Sequence, residues 1–261
     1  MAQVSSISRV GTTEPFYLQV ARNQISFHKS NFKFGFNPDV DDSLETVWAQ
    51  GGLYSYLASA SVLKVSSSST ADTSAGTGAR TVELFGLDTN YDEINETVTL
   101  NGQTAVNTTK EYLRINRMVV RSAGTGTQNA GVIYAGTGTV TTGVPANKYA
   151  TIAIGDNQTV MALWTVPRGY TAYLLQTDIT VATTQNNKYC TVHLVSRPDG
   201  EVFQIKDKFV KSESSVHQAY TIPLKFEEKT DIEVRAIGDS AGADIAISAG
   251  LDIIYIQNDG A

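Results

Sequence analysis

The sequence predicts an all-β protein, and three observations support that prediction. Apolar and polar residues alternate over many short segments, which is the two-residue period of a strand with one buried face. Turn-forming residues separate these segments at intervals of roughly 8–15 residues, as in sandwiches and barrels. Only 18% of the 261 residues are charged, and long blocks of helix-forming residues are absent. We therefore expect two β domains, the second an antiparallel jelly-roll-like sandwich, with an irregular N-terminal arm in front of them.

Residues 1–52 are expected to form this arm. Within it, residues 16–20 and 31–36 are candidates for short strands, and the second segment has Phe at alternate positions. The run Asp41-Asp42-Ser43 offers N-cap residues, which predicts a turn of helix over residues 44–49. An aromatic arm of this kind could wrap its own domain or lie on a neighbouring subunit.

Residues 53–148 are expected to form the N-terminal β domain, built around a hairpin. In the hairpin, residues 81–85 and 94–100 each alternate apolar and polar side chains, and a polar turn joins them. Three further segments are predicted to be strands: residues 53–65 (as one strand or two), 111–121 and 131–135. The Thr-rich segment 139–147 is expected to be an exposed connection to the next domain.

Residues 149–261 are expected to form the jelly-roll-like sandwich, with eight strands in sequence. The predicted strands are residues 149–154, 159–166, 171–183, 188–197, 201–209, 215–224, 231–237 and 245–256. In the seventh strand the apolar residues are expected to face the core, and the charged ones to form an outer, solvated face. The charged residues are Asp231, Glu233 and Arg235, and the apolar ones are Ile232, Val234 and Ala236.

Composition and charge argue against several classes of partner. The net charge of −6 and the pI near 5.1 provide no general attraction to nucleic acid. No apolar run reaches membrane-spanning length, and the first ten residues lack the apolar core of a signal peptide, so we expect folding in a cytosol and no membrane partner. Cys190 is the single cysteine and is expected to be a small buried hydrophobe. Trp164 is likewise expected to be buried.

Two motifs resemble known ligand-binding motifs, but each lacks the sequence context that binding requires. Ala-Gly-Thr-Gly occurs three times, beginning at Ala75, Ala123 and Ala135, but no copy precedes Lys-Ser/Thr or opens a helix. We interpret it as a turn or bulge device. Asp88-Thr-Asn90-Tyr-Asp92 matches the opening of a calcium loop, but Glu93 stands where that loop needs Gly. A polar hairpin turn is the favoured interpretation, with ion binding left open.

Catalytic signatures are not found in the sequence. His28, His193 and His217 lie far apart, and no nucleophile elbow, His-Glu-x-x-His or Cys-x-x-Cys is present. We therefore assign no catalytic, cofactor-binding or metal-binding residue, and expect a protein that is not an enzyme and needs no cofactor.

One resemblance gives the chain a context. The run GTGARTVELFGLDTNYDEINETVTLNGQTAV at residues 76–106, followed by EYLRINRMVV, resembles virion structural proteins of tailed bacteriophages, especially aquatic phages including cyanophages. The resemblance extends to ETVWAQGGLYSY at residues 45–56, WTVPRGYTAYL at 164–174 and PLKFEEKTDIEVRA at 223–236. It implies a β-rich component of the phage particle, made in the host's bacterial cytoplasm, and it transfers no catalytic residue.

The leading expectation is a capsid decoration, or cement, protein on the head surface. Such a protein would bind the lattice of the major capsid protein as a symmetric homo-oligomer, with a trimer as the expected state, and would stabilise the head. The alternative is a tail, fibre or adaptor component with a glycan-binding sandwich, for which an exposed Tyr or Trp would be the sign. A particle-associated hydrolase is a third interpretation, without support from any motif.

Overall fold

The computed structural model describes residues 8–9, 12–185, 188–212, 214–241 and 244–258, and most of them lie in antiparallel strands. The first ten residues of the expected arm therefore lie almost entirely outside the described residues. The elements before residue 60 are β1 (Ser8–Arg9), β2 (Thr12–Thr13), α1 (Phe16–Ala21), β3 (His28–Val40) and β4 (Glu45–Thr46). Those of the middle of the chain are β5 (Ser61–Ser67), β6 (Ala79–Leu87), β7 (Glu93–Thr99), β8 (Val106–Tyr112), β9 (Arg114–Ala123), β10 (Ile133–Thr141) and β11 (Val144–Ile152). The last are β12 (Leu163–Thr165), β13 (Tyr170–Thr183), β14 (Cys190–Arg197), β15 (Gln204–Lys211), β16 (Ser214–Phe226), β17 (Asp231–Gly238) and β18 (Ile245–Gln257).

Eight of these strands form a jelly roll, as the sequence predicts for the C-terminal part. One sheet has the order β3-β18-β13-β16 and the other β12-β17-β14-β15. From β12 onward the chain passes between the two sheets at every connection except β14 to β15, which is the path of two interlocked Greek keys. Apolar side chains from both sheets fill the core between them, including Leu174, Val192, Val234 and Leu251. Cys190 and Trp164 are both buried in this core, as predicted.

The first strand of the jelly roll comes from the segment that was expected to be an irregular arm. β3 pairs with β18 along its whole length, from Ile245↔Val40 to Ile256↔His28. The strand prediction for residues 31–36 is therefore confirmed, but these residues belong to the jelly roll. α1 packs on the same sheet, where Val20 contacts Ile254. The part of the arm from Phe16 to Val40 thus packs on its own domain.

The other strands form a second sandwich, which we call the insert sandwich (β5 to β11) because the chain makes it between β3 and β12. Its sheets have the orders β11-β10-β5-β8 and β7-β6-β9, and Leu63, Leu84, Met118 and Ile152 pack between them. The predicted hairpin is β6 and β7, in the register Thr81↔Thr99 through Leu87↔Glu93. Two sandwiches are therefore present, but the insert sandwich interrupts the sequence of the jelly roll and does not precede it.

Four local predictions were wrong. Residues 53–60, the first part of the segment expected to form one strand or two over 53–65, lie in no strand, and β5 begins at Ser61. Residues 16–20 form α1 where a strand was expected, since Pro15 precedes the segment and Val20 packs inward. Residues 44–49 form no helix, because Glu45 and Thr46 pair with β17 as β4. The segment 139–147 is no exposed connection, since β10 and β11 pair on both sides of a turn at Thr142 and Gly143. The first of the eight strands predicted for the jelly roll is therefore the end of β11, and β3 takes its place.

Asp72 holds together the loops at one end of the insert sandwich through hydrogen bonds to its carboxylate. Its carboxylate is fully buried and accepts hydrogen bonds from the amides of Ala79, Ala130 and Gly131 at 2.7–2.8 Å, and from the Ser67 hydroxyl at 2.6 Å. Four donors on one carboxylate satisfy backbone groups that no strand partner reaches. No pattern in the sequence singles out this residue.

We expect Asp72→Asn to lower the free energy of unfolding by about 2–3 kcal/mol, because the amide NH₂ must face a donor where the carboxylate accepted one. Urea denaturation measures this. Asp156→Asn removes the same charge at an exposed position of the same sandwich and should change stability by less than about 0.5 kcal/mol. Equal effects of the two substitutions would contradict the structural role of Asp72.

Candidate functional site

The junction between the two sandwiches is the part of the molecule where charged and polar side chains converge. The chain leaves the jelly roll through β4 and returns through β12, and both pair with β17, β4 at Arg235–Ala236 and β12 at Asp231–Glu233. The two strands by which the chain passes between the sandwiches thus pair with consecutive parts of β17. This arrangement places the outward side chains of β17 underneath the insert sandwich.

Asp231 is the centre of the charged group at the junction. Arg114, at the start of β9, donates to it in a bidentate manner, with Nε–Oδ1 at 2.8 Å and Nη2–Oδ2 at 3.1 Å. Arg197, at the end of β14, donates Nε and Nη2 to Oδ2 at 3.1 and 2.5 Å, and the Thr165 hydroxyl donates to Oδ1 at 2.6 Å. The Asp231 side chain is 2% exposed and that of Arg114 is 8% exposed. This ion pair therefore joins the two sandwiches away from water.

Glu233 forms the second half of the group. Arg235 donates to both of its oxygens, at 3.0 and 2.9 Å, and the Tyr56 hydroxyl donates to Oε2 at 3.1 Å. The Thr46 hydroxyl of β4 also donates to Glu233 and accepts the amide of Tyr54 at 2.8 Å. β4 is therefore held in place by a hydrogen bond to the Glu233 carboxylate.

Aromatic rings cover the three guanidinium groups. Tyr56 lies over Arg114 and Arg197, with ring centroids 4.9 and 4.6 Å from the guanidinium carbons, and Phe203 lies over Arg197 and Arg235 at 4.6 and 4.0 Å. Such cation–π contacts favour arginines that have lost water. Burial tends to lower the pKa of Arg114, but the hydrogen bonds and charge of Asp231 outweigh it, so the pKa is raised. Burial, together with the charge of Glu233, raises the pKa of Tyr56 well above its ordinary value.

The prediction that the charged residues of β17 form a solvated face is therefore wrong in one respect. Ile232, Val234 and Ala236 do face the core as expected, but Asp231 and Glu233 are buried on the opposite face. Every carboxylate oxygen of the two is hydrogen-bonded, so neither is free to act as a base toward a substrate. The group is suited to holding two sandwiches in a fixed orientation.

On another side of the junction lies a cavity of about 380 Å³ between β3 and the β7-β6-β9 sheet. Trp164, Tyr255 and Phe85 contribute aromatic walls, and Lys33 and Asn116 contribute polar groups. Lys33 is 7% exposed, and its ammonium donates to the main-chain carbonyl of Asn116. Burial, and secondarily the charge of Arg117, lowers the pKa of Lys33 to about 7. The side-chain oxygen of Asn116 is buried with no hydrogen-bond partner among the described residues.

The loop with calcium-like spacing is a turn held by its own side chains. Asp88 Oδ1 accepts the amides of Asn90 and Asp92 at 2.8 and 3.0 Å. The carboxylate of Asp92 makes a bidentate ion pair with Arg168 of the jelly roll, at 3.0 and 2.7 Å. These contacts favour the interpretation as a hairpin turn. Within the described residues, the structure brings together no group of three His, Cys, Asp or Glu side chains suited to a metal ion.

The Ala-Gly-Thr-Gly repeats have a structural use. The amides of Gly124 and Gly126 in the second copy donate to the carbonyls of Gly78 and Thr77 in the first, both at 2.8 Å. A Cβ on Gly124 would lie 2.2 Å from the carbonyl oxygen of Gly76, so only glycine permits this approach. In the third copy Gly138 has a φ of +84° at an irregularity of β10.

The histidines remain apart, as the sequence indicates. His217 forms an exposed pair with Asp178 across β16 and β13, with Nδ1 and Oδ1 2.6 Å apart. His193 lies on β14, where burial, with Lys208 and Arg235 nearby, lowers its pKa. The described part of the chain also contains no helix with the length and hydrophobicity that a bilayer crossing requires.

Comparison with known proteins yields only a weak likeness. No family model and no curated protein matches the chain. A chain in the structure of the infectious bursal disease virus Gt strain matches with 11% identity and a TM-score of 0.24, over 95% of this chain and 79% of that one. A chain of the crystal structure of the infectious bursal disease virus VP2 subviral particle matches with 11% identity and a TM-score of 0.21, over 95% and 78%. Likeness at these scores is too slight to support an inference.

The functional candidates that the sequence missed are Lys33, Asn116, Arg114 and Asp231. Lys33 lies between Phe32 and Phe34 in an alternating strand, where the phenylalanines suggest the inward face. In the structure the phenylalanines have the outward parity, with Phe32 57% exposed, and Lys33 points toward the insert sandwich. A lone basic residue within an aromatic strand is the one signal that could have marked it.

Proposed function

We propose that this protein is a non-enzymatic structural component of a virion, and specifically a capsid decoration protein. In this role it binds the outer surface of the major capsid protein lattice as a homo-oligomer, with a trimer as the proposed state, and stabilises the phage head. The support is the sequence resemblance over residues 76–106 and a fold of two β sandwiches. Jelly rolls occur in viral capsid and lectin domains, which is an analogy at the level of the fold.

The observation that carries the proposal is an apolar surface on the two strands at one side of the jelly roll. β15 and β16 are edge strands, and they expose Ile205 (56%), Val210 (61%) and Ile222 (83%). Exposed apolar edge strands are prone to pair with other chains unless a partner covers them. A subunit of a particle has such partners in its neighbouring copies and in the lattice below.

Binding to preformed capsids tests the proposal. The protein should bind at a stoichiometry comparable to that of the capsomers and raise the temperature at which capsids release their DNA. Ile222→Asp should weaken binding at least tenfold, since a charge would be buried in the contact. Ile154→Asp is the matched control, because Ile154 is 61% exposed on the insert sandwich. Localisation of the protein only at the tail, or equal binding by the two variants, would contradict the proposal.

A second candidate is a tail, fibre or adaptor component that binds a host glycan. Two exposed tyrosines favour it, Tyr17 on α1 (60% exposed) and Tyr189 before β14 (47%), because such rings can stack on a sugar. Trp164, in contrast, is buried and offers no stacking platform on the outer surface of the protein. A glycan array with a host-specific signal that Tyr17→Ala or Tyr189→Ala removes would favour this function over decoration.

A further inference from the structure

The junction cavity contains two polar groups whose hydrogen-bonding capacity the described residues do not fill. The Lys33 ammonium has three N–H donors, and the described residues provide one acceptor, the main-chain carbonyl of Asn116. Among the described residues no carboxylate pairs with it, in contrast to the arginines of the junction. Asn116 Oδ1 is also buried, with no partner among the described residues. Buried polar groups are nearly always hydrogen-bonded in folded proteins, so these two call for a partner from outside the chain, such as water or a polar ligand.

We propose that the cavity between the jelly roll and the insert sandwich binds a small hydroxylated monocarboxylic acid, of which a uronic acid is the representative. The ligand's carboxylate would accept from Lys33, and one of its hydroxyl groups would donate to Asn116 Oδ1. This inference does not depend on where the protein is located in a particle.

The chemistry of the walls selects this class of ligand. An anion is favoured because the exposed Arg117, whose guanidinium binds Gln158 at 2.6 Å, is cationic, and because an anion stabilises the protonated form of Lys33. An ionised carboxylate has no donor for Asn116 Oδ1, so the ligand must also carry a hydroxyl group. Trp164, Tyr255 and Phe85 offer apolar surface to the C–H face of a sugar ring.

The remaining charges near the cavity are paired. Glu93 of β7 accepts from Lys29 at 2.7 Å and from the Tyr255 hydroxyl at 3.4 Å. Its charge is thereby balanced, and it does not reach Lys33. The volume of about 380 Å³ lies at the lower end of the range for small-molecule sites, roughly 300–1,000 Å³, and suits a monosaccharide.

Calorimetry with galacturonate, galactose and benzoate tests the proposal on the full chain. Galacturonate should bind with saturation, and galactose and benzoate at least tenfold more weakly, because each lacks one of the two groups. The affinity for a trimer of galacturonate, compared with that for the monomer, shows whether the site takes a free acid or a uronic acid residue of a polymer. Since the ligand favours protonated Lys33, binding at pH 8 should take up a proton, so that the measured heat varies with the ionisation enthalpy of the buffer.

The variants separate this site from non-specific binding. Lys33→Met should reduce galacturonate affinity at least tenfold and remove the proton uptake, while Lys206→Met, at an exposed position, should change neither. Arg117→Gln, on the surface, provides a second test in a variant whose core is untouched, with an expected loss of severalfold. Equal affinity for galactose and galacturonate, binding unaffected by Lys33→Met, or no saturable binding at millimolar concentrations would each overturn the proposal.

Discussion

Replacing Asp231 with Ala should lower the free energy of unfolding by about 3–5 kcal/mol, because the substitution leaves the buried Arg114 and the partly buried Arg197 without their counter-charge. Among the described residues, the acceptors left to Arg114 would be the carbonyls of Leu57 and Leu113. The unpaired guanidinium must then be solvated, and the simplest way is for the insert sandwich to move away from β17. Urea denaturation measures the energy, and hydrogen exchange of the β9 and β17 amides measures the opening.

Asp92→Ala provides the matched control for this prediction. Asp92 and Arg168 also join the two sandwiches through a bidentate pair, but their side chains are 42% and 53% exposed. Exposed pairs contribute up to about 1 kcal/mol, so Asp92→Ala should cost no more than that. If the two alanine variants unfold at the same urea concentration, the junction is not held by the Asp231 group. A double variant, Arg114→Met with Asp231→Leu, should recover the part of the loss that comes from the buried Arg114, whereas the partly exposed Arg197 still lacks its counter-charge.

The strand pattern of the jelly roll could be predicted from the sequence because it is local. Segments such as residues 171–183 and 245–256 alternate in a period of two and end at turn residues, and the structure has β13 and β18 there. The same argument gave the hairpin of β6 and β7. Pairing between strands at opposite ends of the chain leaves no such local signal, so β3 was assigned to an arm although it pairs with β18.

The candidate site was predicted much less well, for a related reason. Alternation along β17 correctly separates Ile232 from Asp231 and Glu233, but it does not reveal what lies on each face. Whether the charged face is solvated depends on Tyr56 and Arg114, which the fold brings from the insert sandwich. Burial of Lys33 likewise results from contact with Asn116, 83 positions away. The prediction of a solvated face for Asp231 and Glu233 therefore failed because no local pattern in the sequence identifies the residues that cover them.

Replacing Lys33 with Met should make the stability of the protein less dependent on pH. The pKa of Lys33 is lowered by burial from 10.5 to about 7 in the folded state, so between these values the unfolded chain binds a proton that the folded chain does not. Stability therefore rises with pH across this window, and the destabilisation by Lys33 is fully present below about pH 7. Because one pKa unit corresponds to about 1.4 kcal/mol, the cost at pH 7 is on the order of 4 kcal/mol. Removing the ammonium should thus stabilise the protein most at neutral and acid pH.

Urea denaturation of wild type and Lys33→Met at pH 7 and at pH 9.5 measures this effect. The advantage of the variant should shrink by about 3 kcal/mol between the two pH values, since the cost of removing the proton from Lys33 on folding falls by about 1.4 kcal/mol for each pH unit between about 7 and 10.5. The tyrosines also make stability depend on pH; the raised pKa of Tyr56, for example, lowers stability above about pH 10. Because both proteins contain these tyrosines, their contribution cancels when the two are compared at the same pH. Lys206→Met, at an exposed position, should show no such change. A constant difference between wild type and Lys33→Met over this range would mean that Lys33 remains charged in the fold, and that the cavity already holds its counter-charge.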